Sequence, residues 1–360
     1  MIFLLWVFPS PLRAMEADSS NHSKKRNRLR FIALPTIGSA PETGFYFGAV
    51  ALLDIIPRAD SIPRNSVIKT ELTYTAKRQF IAGFEWTLTS QNKTWILFGN
   101  NYWTKFPELF WGIGGDMPQN REVRYGANRL EFANSLYRKV HSNWYLGICQ
   151  RFQNIYKPEY PQFSDRTEPV YNQLDFGISS GIGLGLLFDT RTNILNPRPG
   201  EAFLSVQTLG FGKATGGDFS FLSSDLDFRY YQKLTKRSLL AFQFIGQMRT
   251  AGTPFRMMAM VGGPVMLRGY YQGRFRDNQL LASQMEWRWT FHRYFGMTAF
   301  GGIGNVYNFD FPDRAGSLKS AAGLGLRVIA DPKGNSFLRM DLALTREENF
   351  GFYISFGEAF

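Results

Sequence analysis

The chain has 360 residues, is 44% hydrophobic, and carries 41 Lys and Arg against 29 Asp and Glu, a formal charge of +12. Its mean hydropathy is slightly negative, and no apolar run approaches the ~20 residues that a membrane helix needs, which excludes a helical membrane protein but not a β-barrel, whose signal per strand is weak. The single cysteine, Cys149, excludes an internal disulfide, and the positive charge points to an anionic partner, with no DNA- or RNA-binding motif to make that partner nucleic acid.

Ile2 to Phe8 are apolar and are followed by Pro9, Ser10, Pro11 and small residues near Ala14 and Ala17. This pattern reads as an export signal over residues 1–18 without its usual basic start. Residues 19–28 are polar and basic and read as a short linker. A single barrel domain is expected over 29–360. The 34 Phe, 16 Tyr, 8 Trp and 35 Gly suit many strands joined by tight turns.

From there onward the hydrophobic pattern predicts sixteen strands and no long helix. They cover 29–37, 43–55, 65–76, 79–90, 93–103, 126–138, 142–153, 171–189, 200–212, 219–231, 238–249, 277–291, 294–304, 317–330, 335–345 and 351–360. Several alternate cleanly. Gly147, Cys149 and Arg151 oppose Trp144, Leu146 and Ile148; Asp225, Asp227 and Arg229 oppose Leu226, Phe228 and Tyr230. Gln284, Glu286 and Arg288 oppose Met285, Trp287 and Trp289; Arg327 opposes Leu324, Leu326 and Val328; Arg339 and Asp341 oppose Leu338, Met340, Leu342 and Leu344. Charges at successive inward positions are too many for a dry sandwich core but suit a wet or ion-paired lumen. Cys149 reads as a small strand side chain.

Connection lengths argue the same way. Counting from the first, the even connections are short or moderate, whereas 104–125, 154–170, 250–276 and 305–316 are all odd. Outer-membrane barrels have this asymmetry, with short periplasmic turns and long outer loops; a sandwich has no reason to sort its loops by parity. An even strand count returns both termini to the periplasmic side. The fold class expected is therefore an all-β, antiparallel transmembrane barrel of about sixteen strands in a bacterial outer membrane.

Five stretches resemble the barrel domain of the BamA/TamA superfamily, also called the bacterial surface antigen family. Leu34-Pro35-Thr36-Ile37 with Pro41-Glu42-Thr43-Gly44 is similar to its first hairpin. Phe106-Pro107 followed by Phe110-Trp111-Gly112-Ile113-Gly114 resembles its third-loop start. Asp189-Thr190-Arg191 through Pro197 and Pro199-Gly200 resembles its eighth-to-ninth strand turn. Leu267-Arg268-Gly269-Tyr270 with Gln284, Glu286 and Arg288 resembles its signature sixth loop and the strand after it. Gly323-Leu324-Gly325-Leu326-Arg327 with Leu338-Arg339-Met340-Asp341 resembles its late strands. Each piece is weak alone; their order is specific.

The resemblance implies a protein assembly or translocation barrel, non-enzymatic, with no cofactor and no metal. Its loop-six motif, Arg268, Gly269 and Tyr270, would fold into the lumen, with Arg268 facing candidate partners Glu286 and Asp341 beside Arg288 and Arg339. It also implies a weak seam between first and last strands, to which Pro35, Gly351, Gly357 and Phe360 are assigned; Pro35 cannot donate a ladder bond and glycines weaken a strand. Expected partners are outer-membrane lipid and lipopolysaccharide, and client proteins or separate periplasmic domains. Two departures stand out. Fewer than thirty residues precede the first strand, too few for a POTRA domain. Gly302, within Phe300-Gly301-Gly302-Ile303-Gly304, stands where the family often has the acid that meets the loop arginine.

Other residues read more plainly. Asp189, Arg191 and Asn193 offer either a binding cluster or the shaping of a turn. His22, His141 and His292 are not spaced for a metal or a catalytic set. A channel or structural barrel that has lost assembly activity is the alternative function, since fold does not fix function.

Overall fold

The computed structural model describes residues 28–40, 43–56, 64–159, 173–331, 336–347 and 350–360; the expected signal segment and residues 19–27 lie outside them. Sixteen strands run antiparallel, each paired to the next in sequence. They are β1 (Arg28–Ala40), β2 (Gly44–Ile56), β3 (Ser66–Thr75), β4 (Phe80–Thr89), β5 (Trp95–Lys105), β6 (Val123–His141), β7 (Trp144–Glu159) and β8 (Gly177–Asp189), then β9 (Ala202–Phe211), β10 (Phe221–Lys233), β11 (Ser238–Arg249), β12 (Gln279–His292), β13 (Phe295–Tyr307), β14 (Lys319–Asp331), β15 (Ser336–Thr345) and β16 (Phe350–Phe356). The sheet curls until β1 meets β16, so the expected fold class and strand count hold.

Side-chain alternation makes the wall. In β12, Ala282, Gln284, Glu286 and Arg288 are buried while Leu281, Met285, Trp287 and Trp289 are exposed. In β15, Arg339 and Asp341 are buried and Leu342 and Leu344 exposed. A sheet whose greasy face has no second layer and whose polar face closes on itself is a membrane barrel. The inward charges are paired across the lumen: Arg151 of β7 reaches Asp225 of β10 at 3.2 Å, over two intervening strands, and Arg249 reaches the same carboxylate at 2.7 Å. β8, one of those intervening strands, carries glycines where a side chain would not fit. A Cβ at Gly183 would lie 1.9 Å from the Thr208 carbonyl oxygen, and one at Gly185 would strike Tyr137 and Cys149. Cys149 is buried against Tyr137 and Tyr145.

Three differences from the sequence reading have local causes. The strand expected from 171 begins at Gly177, whose φ of +141° breaks the extended run before it. The strand expected over 351–360 stops at Phe356, because Gly357 turns at φ +74° and sends the tail inward. Three short strands were not anticipated: Glu108–Phe110 extends the sheet beside β6, and Ala259–Met260 pairs with Arg276–Asp277 inside the loop between β11 and β12.

The wall predicts its own mutational asymmetry. Leu324→Arg, halfway along β14 and outward, should destabilise the folded barrel in vesicles by about 2–4 kcal/mol. Gln247→Arg, inward on β11 and opposite Asp225 in the ladder, should destabilise it far less. Urea unfolding of both variants checks this, and equal losses would contradict the facing.

Candidate functional site

The loop over 250–278, between β11 and β12, runs through the interior. Phe255, Ala259, Val261, Tyr270 and Phe275 are essentially inaccessible, with Leu267 and Met257 close behind. The described parts of the other long loops cover it. Gly114 of the β5–β6 loop donates its N–H to the Arg276 carbonyl at 2.8 Å, and the backbone N–H of Leu109 in the same loop donates to the Tyr271 hydroxyl at 3.1 Å. Phe110, Tyr125, Phe176 and Phe255 pack edge to face above them. Arg256 meets Glu108 at 2.6 Å. Burial opposes the Arg256 charge, but Glu108, then Tyr125 and Tyr271, hold it above its ordinary value. Arg276 lies deeper, its guanidinium donating to the Gly273 and Phe255 carbonyls, and burial pushes it below its ordinary value.

The loop's turn is made by its glycines. Gly262 and Gly263 have φ of +100° and +110°, and a Cβ at Gly262 would lie 2.7 Å from the Tyr270 carbonyl oxygen. Leu267 at φ +48° and Gly269 at φ +107° flank Arg268 and aim it at the wall. Gly269 is pressed against that wall: its N–H donates to the Tyr353 hydroxyl of β16 at 2.9 Å, and a Cβ there would lie 2.7 Å from Thr345 of β15. Tyr270 turns back, its hydroxyl donating to the Ser320 carbonyl at 3.3 Å.

Arg268 is 1% exposed and bridges two fully buried carboxylates, Glu286 of β12 and Asp341 of β15. Its guanidinium carbon lies 3.5 Å from the ring centroid of Phe300, on β13 between those strands. Each carboxylate has a second cation. Arg288 meets Glu286 at 2.7 Å, and Arg327 meets Asp341 at 2.6 Å. Glu358 joins those two cations, at 2.9 Å from Arg327 and 3.7 Å from Arg288, and closes a ring of alternating charge. Arg339 adds a contact to Asp341 at 3.3 Å and donates to the Pro264 carbonyl of the loop at 3.0 Å. Four guanidiniums thus stand against three carboxylates, a net charge of +1 in the ring. Planar guanidinium forks can serve two acids at once, which an ammonium could not do with the same geometry.

The structure also accounts for Gly302. A Cβ at that position would lie 2.9 Å from the Cβ of Gln284 and 3.2 Å from Leu267, so the loop backs directly onto β13, and the carboxylates that meet Arg268 come from β12 and β15 instead. Glu358, which interrupts the aromatic pattern at the end of the sequence, and Arg327 and Phe300 were not assigned to this site by sequence. The signal for Glu358 was present: it follows Gly357, and a turn there carries it off the strand.

At the junction of β1 and β16, no ladder forms among the described residues. A side chain spans it instead. Tyr46, on β2, lies across Gly38 of β1 and donates its hydroxyl to the Ile354 carbonyl of β16 at 2.8 Å. A Cβ at Gly38 would sit 2.4 Å from the Tyr46 ring. Of the residues assigned to the seam, Pro35 lies in β1 opposite Ala49 of β2, and Gly351 lies in β16 under Tyr353. Gly357 ends β16. Phe360 lies away from the junction, buried against Tyr231 and Ala241, with its backbone carbonyl accepting from Arg288 at 3.0 Å.

At the short-turn end, Asp189 accepts from the backbone and guanidinium of Arg191 and from Arg64 at 2.7 Å, while Asn193 accepts from the N–H groups of Leu195 and Asn196. These contacts shape the β8–β9 turn. His141 and His292 are exposed at the last positions of β6 and β12 at the same end, and His22 lies outside the described residues.

Residues 64–360 match the Omp85 superfamily domain. No curated protein matches the chain significantly. Among solved structures, BamA from Haemophilus ducreyi lacking POTRA domains 1–3 is similar at a TM-score of 0.56 and 13% identity, over 92% of this chain and 70% of that one. CdiB from Acinetobacter baumannii is similar at a TM-score of 0.57 and 12% identity, over 92% of this chain and 65% of that one. At such identities the likeness is one of fold.

The bridge at Arg268 predicts strong coupling. Arg268→Ala strands two buried carboxylates and should destabilise the folded protein by on the order of 3–5 kcal/mol, less to the extent that water reaches them. Adding Glu286→Gln or Asp341→Asn should then cost much less than it does in the intact chain, a coupling above ~1 kcal/mol in each double-mutant cycle. Additive losses would mean that Arg268 does not hold these acids.

Proposed function

The chain belongs to the Omp85 superfamily, and from that premise we propose that it is a non-enzymatic assembly or translocation barrel of the bacterial outer membrane, plugged by its sixth loop and able to part at the β1–β16 junction. The observation that carries this reading is the Arg268 bridge: one loop residue is tied to both β12 and β15 and, through Gly269, to Tyr353 of β16. A loop attached to the last strand couples the state of the plug to the state of the junction. The junction itself has a tyrosine clip in place of a ladder, and a single hydrogen bond is worth about 0.5–1.5 kcal/mol net, so parting the strands there takes far less than breaking a paired edge.

The short-turn end would face the periplasm, with both termini on that side, and the covered long-loop end would face outward towards lipopolysaccharide. Clients would be unfolded or strand-forming polypeptides, because a strand edge without a ladder offers backbone donors and acceptors that another strand can use. Separate periplasmic domains would deliver them.

Planar-bilayer recording distinguishes this from a barrel that only conducts. The intact protein should give small, fluctuating conductance. Arg268→Ala should raise it and expose the loop over 250–278 to protease while the barrel stays heat-modifiable on gels. A large, steady pore in the intact protein would favour the channel reading instead.

A further inference from the structure

The β10–β11 and β12–β13 turns lie side by side at the short-turn end, because β11 and β12 are neighbours. Ser238 faces Trp289 in the ladder, and the Thr290 N–H donates to the Arg237 carbonyl at 2.9 Å. The two turns and the last residue of β10 expose Lys233, Lys236, Arg237 and Arg293. Among the described residues, no carboxylate meets any of the four. The outward face of the adjoining wall is aromatic: Trp287, Trp289, Phe291, Tyr294 and Phe295 are all exposed. Trp287 and Trp289 are nearly parallel with centroids 6.0 Å apart, and Phe291 follows at 5.5 Å. Arg293 lies over the Tyr294 ring at 4.4 Å and donates to its hydroxyl.

The opposite end treats its cations differently. There Glu108 meets Arg129 and Arg256, and Glu347 meets Arg274. Four like charges in adjacent turns repel one another, and their counter-anion must come from outside the chain. An acidic protein or a free phosphate would satisfy the cations but leave the rings in water. A lipid with an anionic headgroup satisfies both, since phosphate and hydrocarbon meet at the depth where aromatic side chains border charged ones.

We propose that these two turns and the aromatic stripe form a binding site for an anionic glycerophospholipid, its phosphate among Lys233, Lys236, Arg237 and Arg293 and its glycerol and upper acyl chain along Trp289 and Trp287. The site requires only a barrel in a membrane, so it stands or falls separately from the translocation proposed above.

Electron spin resonance of chain-labelled lipids tests it. The full chain is folded into phosphatidylcholine vesicles containing trace spin-labelled phosphatidylglycerol or, in parallel, spin-labelled phosphatidylcholine. The intact protein should hold phosphatidylglycerol in the motionally restricted shell at least severalfold more strongly, given roughly fivefold per cation at such a surface. The variant with Lys233→Gln, Lys236→Gln, Arg237→Gln and Arg293→Gln should lose that preference, whereas Arg121→Gln with Arg124→Gln, at the other end, should keep it. Should the fourfold variant not fold, salt titration of the intact protein decides: the preference must fall between 0.1 and about 1 M NaCl, as a screened contact does. No preference in the intact protein, a preference that survives the fourfold variant, or one insensitive to salt would overturn the site. Stronger displacement by inorganic phosphate than by chloride at equal ionic strength would assign the cations to a free anion and overturn the lipid.

Discussion

A guanidinium cannot be left bare inside a barrel, and Arg268 is not. It lies on a loop yet is fully buried, bridging acids that belong to two strands three apart in the wall, with an aromatic ring from β13, one of the two strands between them, beneath it. Removing one partner of a buried pair leaves an uncompensated charge, so the ring of Arg268, Glu286, Arg288, Glu358, Arg327 and Asp341 is held together by the penalty for opening it as much as by attraction. The course of the loop follows: glycines at positive φ aim the arginine, and apolar residues such as Leu267 and Tyr270 fill the space beside it.

The same constraint reaches the junction. Gly269, next to the arginine, is bonded to Tyr353 of β16, and Glu358, just beyond β16, is part of the ring. The last strand is therefore fastened inward, to the plug and the lumen, more firmly than sideways to β1, where the Tyr46 hydroxyl provides the contact to Ile354. The proposed parting at this junction would leave β16 attached to the barrel from inside.

Alternation and loop parity made the wall legible in the sequence, because a single layer between lipid and lumen writes its two faces directly into odd and even positions, as in Trp287 beside Glu286. Strand ends were less legible where glycine conformation set them. Nothing in Phe352, Ile354 and Phe356 says that the run stops before Phe360; the positive φ of Gly357 decides it, and with it the inward course of Phe360 and Glu358. Alternation assigned Glu286, Arg288, Arg339 and Asp341 to the inner face. It could not close the charge ring through Arg327 and Glu358, or place Phe300 under Arg268, since those depend on distances across the lumen. The two-residue strands in the loop carry no periodicity to read.

The central claim is that this loop sits inside the barrel against β13, and a designed cross-link tests it most directly. In a Cys149→Ser background, Leu267→Cys with Gly302→Cys brings together two positions that lie close, a Cβ at 302 standing 3.2 Å from the Leu267 Cδ2, and β13 has to give by a few tenths of an ångström beside Gln284 to admit it. In outer-membrane vesicles the pair should oxidise to a disulfide, visible as altered mobility on a non-reducing gel, and neither thiol should take up a bulky maleimide from the aqueous side. Two free thiols that both label, with no cross-link under oxidant, would contradict the account.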